Sequence, residues 1–214
     1  MIVRNTLKSK IMKQIFFAAG VASLMMLASC GNGSSEKANS DSTATAATVD
    51  STATPAAAPA AEGTQVAMAN LQSTTDSTKN LGTAKFYKLA DGKIRLDIEI
   101  NMPERKDSNV AVHFHEHGDC GMKGENSHGH WNPTNAKHGE WGSASFHAGD
   151  IGNIKLDATG HGTKSVTTDL WSVDAGNKDI IGKAVIVHGG TDDYKTQPSG
   201  NSGPRVGCGV ITKM

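Results

Sequence analysis

The 214-residue sequence lacks three features that mark common classes of protein. It has no excess charge, with 21 basic and 21 acidic side chains, which argues against a nucleic-acid partner. It has no amphipathic helical repeat of useful length, so a helical fold is not expected. Its longest apolar run, IFFAAGVASLMMLA at 15–28, is too short for a comfortable transmembrane helix.

That apolar run has the setting of an export signal. Four basic and no acidic side chains occur in residues 1–29, and the run ends in Leu-Ala-Ser-Cys, which resembles the lipobox of bacterial lipoproteins. We therefore expect a lipoprotein signal peptide at 1–29 and a lipid anchor on Cys30, whether the chain starts at Met1 or Met12. The alternative is a plain secretion signal with an incidental cysteine. Removing residues 1–29 leaves 17 basic and 21 acidic side chains, a mildly acidic protein.

Cysteine is scarce, with three residues in the whole chain. If Cys30 carries lipid, Cys120 and Cys208 remain. An even remainder in an exported protein favours a disulfide between them, whereas two unpaired buried thiols are the alternative.

Composition divides the rest of the chain into a tether and one domain. Residues 30–63 are rich in Ala, Ser and Thr and nearly devoid of large apolar residues, which predicts a disordered spacer. Residues 64–214 carry alternating, strand-like runs, with a hairpin signal at Asp91-Gly92. We expect about eight strands and two long functional loops, at 116–142 and 189–205. The strand-like runs are 65–71, 82–89, 93–100, 110–115, 143–146, 154–156, 162–169, 180–188 and 206–212.

Histidine is concentrated, with seven of nine residues between positions 113 and 147. On a strand through 110–115, His113 and His115 share one face while Phe114 points to a core. Such a pair suits a metal bound on the outside of a sheet, although His-x-His alone is weak evidence. A solvated histidine-rich tract is the alternative, but here Gly, Pro and Trp separate the histidines.

Six motifs together resemble Cu,Zn superoxide dismutase, in particular its exported bacterial branch. In order they are HFHEHGDC, GHWNP, KHGEWG, FHAGDIGNI, VIVHGGTDD and GPRVGCGVI, and the resemblance runs from about residue 64 to the C-terminus. It implies an all-β fold, an eight-stranded antiparallel Greek-key barrel or sandwich. It also implies disproportionation of superoxide to O2 and hydrogen peroxide by a cycling copper ion that is bridged to a structural zinc.

The resemblance also implies residue roles. Arg205 would hold the superoxide anion, His130 would bridge the metals and act in catalysis, and Asp192 would link a copper histidine to a zinc histidine. The implied ligands are His113, His115, His130 and His188 for copper, and His130, His138, His147 and Asp150 for zinc. Lys195 is a further candidate for steering the anion.

Several alternatives stay open at this stage. An exported copper- and zinc-binding module without catalysis would share the fold, but the full ligand set and Arg205 favour the enzyme. An immunoglobulin-like adhesion domain, whose sandwich architecture the dismutase family shares, would explain the strands but not the histidines. His117 and His128 match no ligand position and are either bystanders or an accessory metal site. The chain is expected to be a monomer or homodimer, held at a membrane through Cys30.

Overall fold

Nine antiparallel strands form one sheet in a computed structural model that describes residues 62–174 and 176–214. The expected signal peptide, the lipidated Cys30 and all but the last two residues of the tether lie outside the described residues. The strands are β1 Gly63–Ser73, β2 Asn80–Leu89, β3 Ile94–Asn101, β4 Asn109–His115, β5 Asp150–Lys155, β6 His161–Thr168, β7 Ala184–His188, β8 Arg205–Val210 and β9 Thr212–Lys213. Short 3-10 segments lie at Pro103–Arg105 and Met122–Ser127.

The sheet nearly closes on itself. Its order is β5-β4-β7-β8-β1-β2-β3-β6, with β9 paired to β1, so the connections from β3 to β4 and from β6 to β7 cross over as in a Greek key. The two end strands, β5 and β6, approach each other, and Lys164 Nζ donates to Asn153 O at 3.3 Å. The expected eight-stranded antiparallel barrel is confirmed.

The two faces of β4 are both buried, for different reasons. Phe114 points into the apolar core, where its ring centroid lies 5.8 Å from Phe86 and 5.0 Å from Trp171. His113 and His115 point to the opposite face and are 0% and 1% exposed, because the two long loops cover it. The histidine face is therefore outside the barrel yet buried.

Two local expectations were wrong. Residues 143–146 form an irregular, bent segment instead of a strand: Ser143 Oγ donates to Ser145 O, and the Ser145 hydroxyl accepts from Lys137 N, so local side chains replace ladder bonds. The strand expected from residue 180 begins at Ala184, because Lys183 N donates to Ile180 O in a turn. The first long loop therefore spans 116–149 and the second 189–204.

A disulfide joins Cys120 to Cys208, as expected, with the Cα atoms 5.8 Å apart. It ties the first long loop to β8 across a separation of 88 residues, which corresponds to roughly 4–5 kcal/mol in the chain-entropy treatment. In the described part of the chain, every helical segment is too short to cross a membrane.

Candidate metal centre

Two groups of four potential ligands lie beneath the loops. In each group the ligand atoms lie within 4.8 Å of one another, and all seven side chains are buried. The first, the four-histidine group, consists of His113, His115, His130 and His188. The second, the Asp150 group, consists of His130, His138, His147 and Asp150. The structure thus brings together every expected ligand, and His130 belongs to both groups.

The four-histidine group rests mainly on strands. His113 and His115 are on β4, and His188 ends the neighbouring strand β7. His130 comes from the first long loop, where an isolated β-bridge pairs it with His115. Its ring centroid lies 3.9 Å from that of His113 and 5.1 Å from that of His115.

One nitrogen of each strand-borne ring is already engaged. His115 Nδ1 pairs with His128 O at 2.8 Å, His188 Nδ1 with Gly203 O at 3.1 Å, and His113 Nε2 with Asp192 Oδ2 at 2.8 Å. Among the described residues, five buried ring nitrogens have no hydrogen-bond partner, and we call these the open nitrogens. They are His113 Nδ1, His115 Nε2, His130 Nε2, His138 Nδ1 and His188 Nε2.

The open nitrogens provide a test of whether a metal fits. A buried polar atom without a partner is costly, and four of the five belong to one group whose ligand atoms converge. A set of imidazoles with available lone pairs is a donor set suited to copper or zinc. The four-histidine group therefore fits a bound transition metal ion.

The Asp150 group is organised around a carboxylate. Asp150 Oδ1 lies 2.8 Å from His130 Nδ1 and 3.2 Å from His147 Nδ1. His138 Nδ1 lies 2.9 Å from Asp150 Oδ2 but without hydrogen-bond geometry, which is why it counts among the open nitrogens. Three imidazoles and one carboxylate in a closed site match the ligands of structural zinc.

Asp192 connects the two groups from outside. Its Oδ1 lies 3.0 Å from His138 Nε2 and its Oδ2 lies 2.8 Å from His113 Nε2, so both rings turn Nδ1 toward their groups. Asp193, the neighbour in the sequence, is exposed and bonds instead within its own turn, to Thr196. Asp192 thus lies between His113 and His138, the two rings that the resemblance implies it links.

The electrostatics of the histidines differ between the groups. Burial lowers the pKa of His113 to about 3, of His115 to about 2 and of His188 to about 4. Burial also acts to lower the pKa of His138, but Asp150 and Asp192 outweigh it and raise that pKa to about 9. At neutral pH the strand-borne rings are therefore neutral, the form in which imidazole binds metals.

Burial alone would raise the pKa of Asp150 and of Asp192. Hydrogen bonds from the surrounding histidine rings outweigh it and hold the pKa of each carboxyl well below its ordinary value. Both carboxylates are therefore ionised at neutral pH, so the Asp150 group contains one negative charge and a second lies directly behind it.

A cavity of about 640 Å³ opens onto the four-histidine group. Arg205 lines it, and its guanidinium is fixed by the first long loop: Nη1 donates to Gly124 O at 2.6 Å and Ser127 Oγ at 2.9 Å, and Nη2 to His128 O at 2.7 Å. Of the described residues, those that line the cavity include Arg205, His115, His130 and His188 but not Lys195.

Several supporting residues were missed by sequence reasoning. Asn153 on β5 holds Asp192 through two bonds, from Nδ2 to Asp192 O at 2.9 Å and from Asp192 N to Oδ1 at 2.8 Å. Gln197 brackets His138 by accepting from its N–H and donating to its C=O. These contacts join residues 39 and 59 positions apart, and a local pattern carries no signal for them.

Known proteins resemble the chain over most of the domain. Residues 80–211 match the family model Copper/zinc superoxide dismutase (SODC). A copper-zinc superoxide dismutase 1 of Aquifex aeolicus is 34% identical over 139 residues, covering 62% of this chain and 80% of the relative. A copper-zinc superoxide dismutase of Neurospora crassa is 39% identical over 124 residues, covering 55% and 78%.

Solved structures agree with this. A double mutant of a SOD-like protein from Bacillus subtilis superposes with a TM-score of 0.61 at 31% identity, covering 68% of this chain and 96% of that one. The clock protein EA4 gives a TM-score of 0.62 at 30% identity, covering 72% and 97%. Fold, ligand groups and sequence matches agree, and the chain belongs to the copper/zinc superoxide dismutase family.

Proposed function

We propose that this superoxide dismutase holds copper on the four-histidine group and zinc on the Asp150 group, with His130 shared between them. The observation that carries the assignment is the set of four open nitrogens that converge beneath the cavity. Neutral imidazoles serve both oxidation states of copper, whereas zinc suits the closed group with a carboxylate. The overall reaction converts two superoxide anions and two protons to one O2 and one hydrogen peroxide.

The chemistry divides between the metals and the chain. When bound, copper supplies the one-electron redox couple that the reaction needs, and zinc supplies fixed positive charge. The chain's own part begins with Arg205, which lines the cavity and gives the substrate anion a positively charged place to bind. Because four loop acceptors already orient that guanidinium, the binding position is set before substrate arrives.

His130 is the residue proposed to hold and return a proton. Its Nδ1 pairs with Asp150 Oδ1 at 2.8 Å, which fixes the ring, while Nε2 faces the four-histidine group. His130 lines the cavity, so a proton held at Nε2 can be passed to the reduced oxygen species formed there. The ring thus acts as a proton carrier at one stated atom, with Asp150 preventing its rotation.

The assignment is tested by reconstituting the full chain with copper and zinc. We expect one equivalent of each metal to resist dialysis, and superoxide to be consumed far faster than by free copper at the same concentration. A protein that binds both metals but is no faster than free copper would instead be a copper- and zinc-binding module. Binding of fewer than two equivalents would contradict the ligand assignment itself.

We propose further that the protein is exported and held at a membrane by lipid on Cys30, with residues 30–63 as a spacer. The signal-like segment at 1–29 supports this, and so does the Cys120–Cys208 disulfide, a bond typical of oxidising compartments. Cys30→Ala should release the protein into the soluble fraction of cells, with the disulfide intact. Continued membrane association of that variant would contradict lipid anchoring.

A further inference from the structure

A third cluster of ligand-type side chains lies at the rim of the cavity. Glu116, His117 and His128 are all exposed, and their ligand atoms lie within 4.8 Å of one another. The two imidazole rings are 4.4 Å apart between centroids, at an angle of 71°. Glu116 and His128 also line the cavity that opens onto the four-histidine group. None of the three residues belongs to either of the groups described above.

The backbone holds this cluster in place. Glu116 N donates to Gly129 O at 3.0 Å and His117 N to Ser127 O at 3.2 Å, so two antiparallel segments continue the bridge between His115 and His130. The three side chains therefore sit on a short ladder anchored at the buried site, and the first long loop does not have to rearrange to bring them together.

His128 is held in an unusual conformation. Its φ of 62° lies in the left-handed region, which is uncommon for residues other than glycine and persists only when the surroundings impose it. Here its carbonyl accepts from Arg205 Nη2 at 2.7 Å and pairs with His115 Nδ1 at 2.8 Å. The same contacts that orient Arg205 and His115 thus fix the backbone from which the His128 ring projects.

The donor set suggests the ligand. We infer that Glu116, His117 and His128 form an exchangeable site for a divalent transition metal ion at the rim of the cavity. Two imidazoles and one carboxylate suit Zn²⁺, Ni²⁺ or Cu²⁺ and leave positions for water, whereas Mg²⁺ and Ca²⁺ prefer oxygen ligands alone. Among divalent ions Cu²⁺ binds such a set most tightly. Because the site is exposed and keeps water ligands, the ion exchanges readily.

The position of the Glu116, His117 and His128 site suggests a role in loading copper. An ion on this site lies at the entrance to the cavity whose inner wall carries His115, His130 and His188. The site would therefore raise the local concentration of copper next to the buried group and speed its loading. This inference goes beyond the dismutase reaction, since the filled enzyme does not need a third ion.

Metal counting on the loaded enzyme tests the site. The full chain, free of added tags and already holding copper and zinc, is titrated with Cu²⁺, and bound metal is measured by equilibrium dialysis. We expect a third equivalent that a mild chelator removes and whose electron paramagnetic resonance spectrum shows nitrogen ligation. His117→Gln and Glu116→Gln each remove a ligand, so each should weaken the affinity for the third ion. Loss of a residue that only supports a ligand costs about 10- to 100-fold, and loss of a ligand should cost at least as much. His128→Asn, which removes the imidazole, should do the same.

A matched control is available in His161. This half-buried histidine also has a carboxylate neighbour, with Nε2 3.1 Å from Glu99 Oε1, but it lies on β6 and outside the cluster. His161→Asn should leave the third equivalent unchanged. The inference is overturned if no third equivalent binds, or if it binds equally to the His117→Gln and His161→Asn variants. If the buried groups failed to hold metal, the first two equivalents would be missing from every variant alike.

The loading role has a separate readout. Protein that holds zinc alone is mixed with a limiting amount of Cu²⁺, and copper entry is followed by its visible absorption. We expect His117→Gln to slow copper entry several-fold while His161→Asn does not, and the final amount of copper in the buried group to be equal. Equal entry rates would overturn the loading role.

Discussion

The two ligand groups share His130 but are built from different parts of the fold. The four-histidine group takes three of its rings from the adjacent strands β4 and β7. The Asp150 group takes its other members from the first long loop and the first residue of β5. In the first group two strand-borne rings are held by backbone carbonyls, whereas in the second the rings are held by a carboxylate.

The two groups differ in how many of their buried ring nitrogens lack a hydrogen-bond partner. Among the described residues, four of the five open nitrogens belong to the four-histidine group, while Asp150 lies within 3.2 Å of all three of its histidine partners. In the Asp150 group the carboxylate therefore lies close to a nitrogen of every ring, and it can order the loop without an ion. In the four-histidine group three of the rings are held by strands, but four ring nitrogens have no partner among the described residues. A rigid set of neutral donors is what a redox metal requires, since its geometry must persist through both oxidation states.

The largest expected effect comes from removing a strand-borne ligand. His113→Ala should reduce superoxide consumption to the level of free copper, because one of the four converging nitrogens is lost. Most zinc should remain, since His113 is not a member of the Asp150 group, although its ring lies against that of the shared residue His130 and bonds to Asp192. Metal analysis and a superoxide assay on the same sample check both statements. His161→Asn, at a half-buried histidine outside both ligand groups, is the control and should keep its activity. Substantial activity of His113→Ala would contradict the assignment.

In the metal-free protein, the free energy of unfolding should depend on pH in a way that distinguishes the histidines of the two groups. The unfolded pKa of histidine is near 6.5, and the folded pKa values of His113, His115 and His188 are about 3, 2 and 4. Between pH 6.5 and about 4 the unfolded chain binds protons that the folded chain does not. The free energy of unfolding should therefore fall as pH falls, by up to about 1.4 kcal/mol per pH unit for each ring.

His138 should act in the opposite direction. Its folded pKa is raised to about 9, so its stabilising contribution is complete below pH 6.5 and is lost as pH rises through 9. Urea unfolding of chelator-treated protein from pH 4.5 to 9.5 measures both effects. His188→Gln should make the free energy of unfolding fall less steeply between pH 6.5 and 4.5, because one titrating ring has been removed. Stability that stayed constant from pH 6.5 to 4.5 would show that the strand-borne rings are not held neutral.

Sequence reasoning succeeded where the signal is local. The Asp91-Gly92 turn and its flanking alternation predicted the β2–β3 hairpin, and Lys88 pairs with Ile94 there, with Gly92 N donating to Leu89 O. The period of two in β4 likewise predicted that Phe114 and the two histidines face opposite ways. The disulfide followed from counting cysteines. These are patterns that span a few residues or depend on simple pairing.

Sequence reasoning failed where distant contacts decide. No local pattern tells which ring nitrogen of His113 stays open, because that depends on Asp192, 79 residues away. Residues 143–146 alternate like a strand, yet the fold gives them no strand partner and they close on Lys137 instead. The ligands were predicted by resemblance as a set, whereas the residues that orient them, such as Asn153 and Gln197, were not.

A smaller effect is expected from the residue that couples the two groups. In the native protein each carboxylate oxygen of Asp192 accepts from one ring, His113 or His138. Asp192→Asn replaces one of those oxygens with an amide nitrogen that accepts no hydrogen bond, so one of the two rings loses its support. Loss of such support should weaken metal affinity by about 10- to 100-fold. Competition with a chelator measures this for each metal. Asp193→Asn is the matched control and should change neither affinity; equal behaviour of the two variants would mean that the groups are independent.

The smallest expected effect of removing a site residue comes from Arg205, which we compare with the exposed cation Lys195. The Arg205 side chain is 16% exposed and lines the cavity, whereas Lys195 is exposed and outside it. Positive charge at a channel speeds the encounter with an anion, and superoxide dismutases are themselves known examples, so Arg205→Ala should slow superoxide consumption by about 10-fold. Both metals should remain, since Arg205 belongs to neither ligand group.

Ionic strength distinguishes charge from geometry at this position. The rate of the native enzyme should fall as salt is added, and the fall should be shallower for Arg205→Ala, because an exposed attraction is screened beyond about 10 Å at 0.1 M salt. Arg205→Lys should keep the salt dependence but lose part of the rate, since the acceptors at Gly124, Ser127 and His128 bond two different guanidinium nitrogens and an ammonium has only one nitrogen. Lys195→Ala should change the rate less than about 2-fold. An effect of Lys195→Ala as large as that of Arg205→Ala would show that diffuse surface charge, and not the guanidinium of Arg205 at the cavity, governs capture of the anion.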